Sequence, residues 1–126
     1  MQRDIWREGK YIDLWSLVHL LSGFILAGWL SFIGAPLHAS VGIATIIFAV
    51  WEIFEHVYKI EVTSNQITDL IVNYVGFFIF YLTRDLFLRG AVSVVAITTI
   101  ITLLLSLSGF LAFMRRKTRG LLKERG

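Results

Sequence analysis

Apolar residues fall into four long runs separated by short polar breaks. Leu14 to Ile33 is interrupted only by Ser16, His19, Ser22 and Ser31, and Leu37 to Tyr58 carries Glu52, Glu55 and His56 near its end. Ile67 to Thr83 carries Asp69 and Asn73 near its start, and Ala91 to Met114 has only Ser and Thr as polar residues. About 20 helical residues cross a ~30 Å hydrocarbon layer. Ser and Thr can satisfy themselves on their own helix carbonyls, so they do not interrupt a span. The pattern therefore predicts an all-α integral membrane protein, a single-domain bundle of four transmembrane helices joined by short loops.

The breaks carry turn chemistry. Gly34-Ala35-Pro36 separates the first two runs, since proline cannot continue a helix but suits the first turn of the next. Thr63-Ser64-Asn65 supplies candidate caps ahead of the third helix. Arg84 to Gly90 parts the third run from the fourth, although the third can also be read on to Leu88 with Arg84 and Asp85 near the membrane surface. The N-terminal run is longer than a secretory signal core and lacks a clear small-x-small cleavage site, so the first helix is expected to remain.

Composition agrees with this picture and excludes several functions. Across 126 residues, 56% are hydrophobic and 17% charged, and the mean hydropathy is +0.72. A soluble domain this small needs more polar surface than that, which argues against a soluble enzyme or a nucleic-acid module. The chain has no cysteine, so thiol catalysis, thiolate metal ligation and disulfides are absent.

Lys and Arg are unevenly placed. Arg3, Arg7, Lys10, Lys59 and the tail 115–126 hold ten of them on the side shared by both termini, against Arg84 and Arg89 on the other. The positive-inside rule then places both termini in the cytoplasm, with the protein in the cytoplasmic (inner) membrane. The basic tail would attract anionic headgroups at about 1 kcal/mol per residue held near the surface, without calling on nucleic acid. Trp6, Tyr11, Trp15 and Tyr58 fit an interfacial aromatic belt on that side.

The ionisable residues inside the runs lie near one end. With edges near Leu14, Tyr58 and Ile67, His19 lies about 7 Å deep, Glu52 and Asn73 about 9 Å, Glu55 about 4 Å and Asp69 about 3 Å. Glu52, Glu55 and His56 share a helix face by spacing. Asp69, Asn73 and Gly76 form a stripe on the third helix, matched by Ser16, His19 and Gly23 on the first, and small residues let such helices approach closely. Asp13 lies roughly 120° around from His19 or at the interface. His38 falls near the outer loop, and the Ser and Thr of the fourth helix read as packing residues.

Charges inside a membrane are costly, roughly 2.5–3.5 kcal/mol each at mid-depth. Adjacent Glu52 and Glu55 repel, so one carries a proton or both share a cation. His19, Glu52, Glu55, His56 and Asp69 offer the nitrogen and oxygen donors that a divalent metal accepts. Bland readings stand beside this one. Glu55 and His56 can reach up to water, Asp69 can cap the third helix, and His19 and Asn73 can pin helices together. Glu52, the deepest acid, is the hardest to read as structural only.

The order His19, then Trp51-Glu52-Ile53-Phe54-Glu55, then Asp69-x-x-x-Asn73-x-x-Gly76 resembles VanZ-like and the related YjdF-like membrane proteins across roughly residues 13–80. The chain departs from the family once: the acid expected four residues before the His is Trp15 here, and Asp13 lies two residues earlier. The resemblance implies a small polytopic bacterial or archaeal membrane protein with a shared polar site. One member is linked to glycopeptide-antibiotic resistance.

Three functions follow as expectations. The favoured one is a site that binds or processes a lipid or polyprenyl-phosphate headgroup with a divalent metal. In it His19, Glu52 and Asp69 are catalytic, Ser16, Asn73 and Gly76 contact substrate, and Glu52, Glu55, His56, Asp69 and His19 are metal ligands. The second is a non-catalytic accessory or structural subunit of a larger membrane complex. The third is a small proton- or cation-coupled transporter, whose size suggests a homo-oligomer.

Overall fold

The structure, a computed structural model, describes residues 5–6, 12–57 and 63–119. Every regular element among them is helical: α1 (Leu14–Phe32), α2 (Leu37–Val57), α3 (Thr63–Thr83), a 3-10 helix (Arg84–Gly90) and α4 (Ala91–Thr118). All four α-helices are long and apolar enough to cross a membrane, with the third such segment running over Ser64–Phe87. That extension agrees with the longer of the two sequence readings of the third run. Tyr11, Tyr58 and Lys59, like the charges at Arg3, Arg7, Lys10, Lys123 and Arg125, lie outside the described residues.

Local chemistry explains the ends of α1. Asp13 is its N-cap: the carboxylate accepts from the Ser16 backbone N–H at 3.2 Å, and Ser16 Oγ accepts from the Asp13 N–H at 3.2 Å. This reciprocal pair satisfies two donors that the first turn leaves unpaired. At the other end Gly34 takes φ +83, a left-handed value suited to glycine. Pro36 then starts α2 by accepting from the Ser40 N–H at 2.9 Å.

Two boundaries differ from the sequence expectation. Helix α3 begins at Thr63 rather than near Ile67, so Ser64 and Asn65 lie within its first turn instead of ahead of it. Asp69 is consequently in the second turn, and the first turn holds no acid, which removes the capping role considered for it. Its distance from the helix start rises to about 9 Å, level with His19. At the C-terminus α4 continues to Thr118, so Arg115, Arg116 and Lys117 are helical rather than part of a free tail.

Helix α1 is the hub, packing most extensively on α3 and next on α4. Helix α2 touches α1 and α3 more sparsely and does not meet α4 among the described residues. Helices α1 and α3 run parallel, since Asp13 meets Asn65 near their starts and Leu20 meets Gly76 further along. Their approach is backbone to backbone: a Cβ at Gly23 would collide with the Asn73 carbonyl, and one at Gly76 with the Leu20 carbonyl. The small-residue stripes read from the sequence are therefore the seam.

Beyond the seam lies an apolar core of Ala27, Ala44, Phe48, Phe77, Phe80 and Val95. Phe24 and Phe32 meet Phe80 edge-on, with centroids 5.5 and 6.0 Å apart, a favoured aromatic geometry. The hydroxyls of α4 behave as expected, Thr98, Thr102 and Ser106 each donating to the carbonyl four residues back at 2.7 Å. Trp6 departs from the belt expectation. It is 4% exposed, packs on Trp15 at 5.1 Å between centroids, and donates from Nε1 to Ser108 Oγ at 3.1 Å.

Candidate functional site

Three helices converge on one polar layer. Helix α1 brings Ser16 and His19, one turn apart; α3 brings Asn65, Asp69 and Asn73, spaced by fours; α2 brings Glu52 and Glu55. Spacing of three or four places each set along one helix face. The packing seam then turns the faces of α1 and α3 toward each other.

A side-chain network crosses that seam. Ser16 Oγ donates to Asp69 Oδ1 at 2.8 Å, and His19 Nε2 lies 3.3 Å from Asp69 Oδ2. On the other edge of the imidazole, Asn73 Nδ2 lies 3.2 Å from His19 Nδ1. Asn65 Nδ2 donates to Asp13 Oδ2 at 2.9 Å, tying the α1 cap to α3. Asp69 is 0% exposed, Asn73 2% and His19 4%. Buried polar groups paired in this way hold helices together where unpaired ones would be expensive.

The carboxylates of α2 approach the same imidazole. One ring nitrogen of His19 and one oxygen each from Glu52 and Glu55 all lie within 4.8 Å of one another, an arrangement that could hold a metal ion. Imidazole with two carboxylates is a donor set suited to first-row divalent cations. Both carboxylate oxygens of Glu52 are buried, and neither has a hydrogen-bond partner among the described residues.

Of the residues read from the sequence as ligands, the structure brings His19, Glu52 and Glu55 together as one group, while Asp69, 3.3 Å from His19, is not part of that group. His56 is exposed and also stands outside it; the rotation from residue 55 to 56 carries it away from the face that Glu55 buries. Ser16 and Asn73 sit inside the network around His19. Gly76 is taken up by the close approach to Leu20. His38 is exposed in the first turn of α2.

The sequence reading missed Asn65 as a site-supporting residue, having placed it in a cap. The same displaced boundary hid it, although its spacing of four from Asp69 was available as a signal. Asp13 is a helix cap bonded to Asn65.

No protein-family model, curated protein or solved structure matches the chain.

Proposed function

We propose that the chain is a multi-pass protein of the cytoplasmic membrane in which His19, Glu52 and Glu55 bind a divalent cation that engages the phosphate of a lipid, a phospholipid or a polyprenyl phosphate. The observation that carries this reading is Glu52: a carboxylate with both oxygens buried and unbonded, within 4.8 Å of an imidazole nitrogen and a second carboxylate. Burying an ionised group without a partner costs several kcal/mol, and a shared cation offsets that cost for both acids at once. The order of His19, the Glu52–Glu55 pair and the Asp69–Asn73–Gly76 stripe, which resembles VanZ-like proteins, supports a common polar site.

The uneven Lys and Arg distribution supports cytoplasmic termini. With that orientation the cluster lies beneath the inner leaflet's headgroups, about 3–9 Å in from the helix ends. When bound, the cation would supply Lewis-acid polarisation of a phosphoryl oxygen. The chain's own residues supply the rest: Glu52 and Glu55 present anionic oxygens, His19 presents a nitrogen, and Ser16, Asp69 and Asn73 hold His19 in place.

The test is calorimetric titration of the purified protein in nanodiscs with Mg2+, Mn2+ and Zn2+, together with mass spectrometry of co-purified lipids. Stoichiometric binding of one cation, weakened at least tenfold by Glu52→Gln, is expected, with a phosphate-bearing lipid retained. Absence of cation binding, or binding indifferent to Glu52→Gln, overturns the site. Cation binding with no retained or added phosphate lipid overturns the lipid part alone.

A further inference from the structure

Gln66 is a buried polar group that the network around His19 leaves unused. It is 9% exposed, and its Nε2, like the two oxygens of Glu52, is buried with no hydrogen-bond partner among the described residues. Helix geometry gives its place on α3. Gln66 lies seven residues before Asn73, about 20° round the helix, on the side of the Asp69–Asn73 stripe that leads to Tyr74. Tyr74 is the residue that α2 meets through Thr45 and Phe48, and Glu52 continues the Phe48 face one turn on.

Glu52 and Glu55, late in α2, approach His19, early in α1, so α2 runs against α1 and its parallel neighbour α3. With equal rise in both helices, the contacts of Thr45 and Phe48 with Tyr74 set residue 66 level with about 53–56, the turn that holds Glu55. Glu52 falls level with about 67–70. Gln66 and the two acids thus stand on the meeting surfaces of α2 and α3 within about one turn of each other. Gln66 is three residues in from the α3 start and Glu52 five from the α2 end, which puts the amide nearer the mouth by about 3 Å.

The two unbonded groups make opposite demands. A carboxylate only accepts hydrogen bonds, and an amide nitrogen only donates them. A bare cation serves Glu52 and leaves the amide unpaired; a bare anion serves the amide and is repelled by two carboxylates. Water on a cation turns its lone pair inward and its hydrogens outward, so it is a poor partner for a donor. A cation carrying a phosphate oxygen satisfies both groups. Resting on the cation-site reading above, we infer that Gln66 is a phosphate-binding residue, its Nε2 donating to an oxygen of the phosphate that the cation at His19, Glu52 and Glu55 engages. A neutral donor suits this place, because Lys or Arg would pair with the acids and compete with the cation. The same donor serves a lipid phosphate or a soluble one, and the experiment separates them.

The full chain is exchanged into dodecyl maltoside, which carries no phosphate. It is titrated by calorimetry with Mn2+ alone and then, saturated with Mn2+, with farnesyl phosphate and with inorganic phosphate. Gln66→Met keeps the length of the side chain and removes the donor. It is expected to leave Mn2+ affinity and the thermal midpoint of the cation-free protein unchanged. Farnesyl phosphate is expected to weaken about tenfold or more, as for one hydrogen bond to a charged oxygen. Glu52→Gln, by contrast, should weaken Mn2+ itself. Tighter binding of farnesyl phosphate than of inorganic phosphate assigns the site to a lipid, and equal binding assigns it to a soluble phosphate; Gln66 keeps its role in both.

Phosphate binding indifferent to Gln66→Met, or Mn2+ binding with neither phosphate taken up, overturns the inference and leaves the cation site standing. A loss of Mn2+ affinity or of thermal midpoint in Gln66→Met also overturns it, because the amide then belongs to the cation's ligands or to the packing. Failure of the unsubstituted chain to bind Mn2+ removes the cation site and the inference with it. If Gln66→Met does not fold, Gln66→Glu matches the amide in shape and replaces the donor with an anionic acceptor. Farnesyl phosphate binding that survives in that variant overturns the inference, and its loss supports it.

Discussion

Helix α1 makes two very different contacts within a few residues of each other. Toward α3 it presents Ser16, His19 and Gly23 and receives Asp69, Asn73 and Gly76, with backbones touching and the polar side chains between them bonded across the seam. Toward α2 the packing is sparse, and near the site the approach of Glu52 and Glu55 to His19 is the chief feature. Further along, α2 reaches α3 through the 2.6 Å contact of Thr45 Oγ1 with the Tyr74 hydroxyl and the edge-on packing of Phe48 on Tyr74. His19 is thus held by a built framework from α3 and approached by two acids brought up on a loosely packed helix. Neighbouring polar residues in this bundle divide into those bonded between helices and those, Glu52 above all, that bond no other described residue.

Substitutions that attack the two contacts should separate them. The largest effect is expected from Gly76→Leu, where any side chain meets the Leu20 backbone. Overpacking that backbone cannot relieve should cost about 3 kcal/mol or more, read as a large fall in the thermal unfolding midpoint in detergent. Retention of the native midpoint would mean the seam is not close-packed.

Glu52→Gln comes next and should spare the seam. Cation affinity is expected to fall 10- to 100-fold, about 1.4–2.7 kcal/mol, while the cation-free protein keeps its stability because neither Glu52 oxygen bonds another described residue. If the cation-free variant is less stable than the parent, Glu52 belongs to the framework and the division drawn above is broken.

Ser16→Ala removes both the α1 capping partner and the donor to Asp69. A loss of about 1 kcal/mol is expected, visible by chemical unfolding and accompanied by weaker cation binding because Asp69 loses its anchor. The smallest effect is expected from Tyr74→Phe, which keeps the ring on Phe48 and removes only the hydroxyl facing Thr45. About 0.5 kcal/mol is appropriate for one interhelical hydrogen bond in a membrane, and cation affinity should not change. A larger loss would show α2 to be fastened more firmly than its sparse packing suggests.

Much of this arrangement was legible along the chain because the bilayer imposes a simple demand. A span must be long, apolar and internally hydrogen-bonded, so four runs and their breaks read directly as four helices. Polar residues that violate such a run stand out, which is why His19, Glu52, Glu55, Asp69 and Asn73 were recognisable as candidates. The spacing of Gly23 and Gly76 within polar stripes identified the seam for the same reason: close backbone approach requires missing side chains.

What the linear pattern could not resolve was the partition of those candidates. The start of α3 lay four residues earlier than the hydropathy pattern suggested, because Ser64, Asn65 and Gln66 are polar yet helical; Asn65 is paired to Asp13 and Gln66 is nearly buried. That one turn lifts Asp69 to the level of His19. Residues 55 and 56 are neighbours in sequence, but one is buried in the site and the other exposed. Periodicity constrains which residues share a face, whereas contact depends on how far helices slide and rotate against one another. The amino-acid order thus determined the spans, the seam-forming small residues and the list of polar groups. Only tertiary packing decided that His19 groups with Glu52 and Glu55 while Asp69 bonds Ser16 across the α1–α3 seam, because that choice is made by interhelical distances of a few ångströms that no single helix encodes.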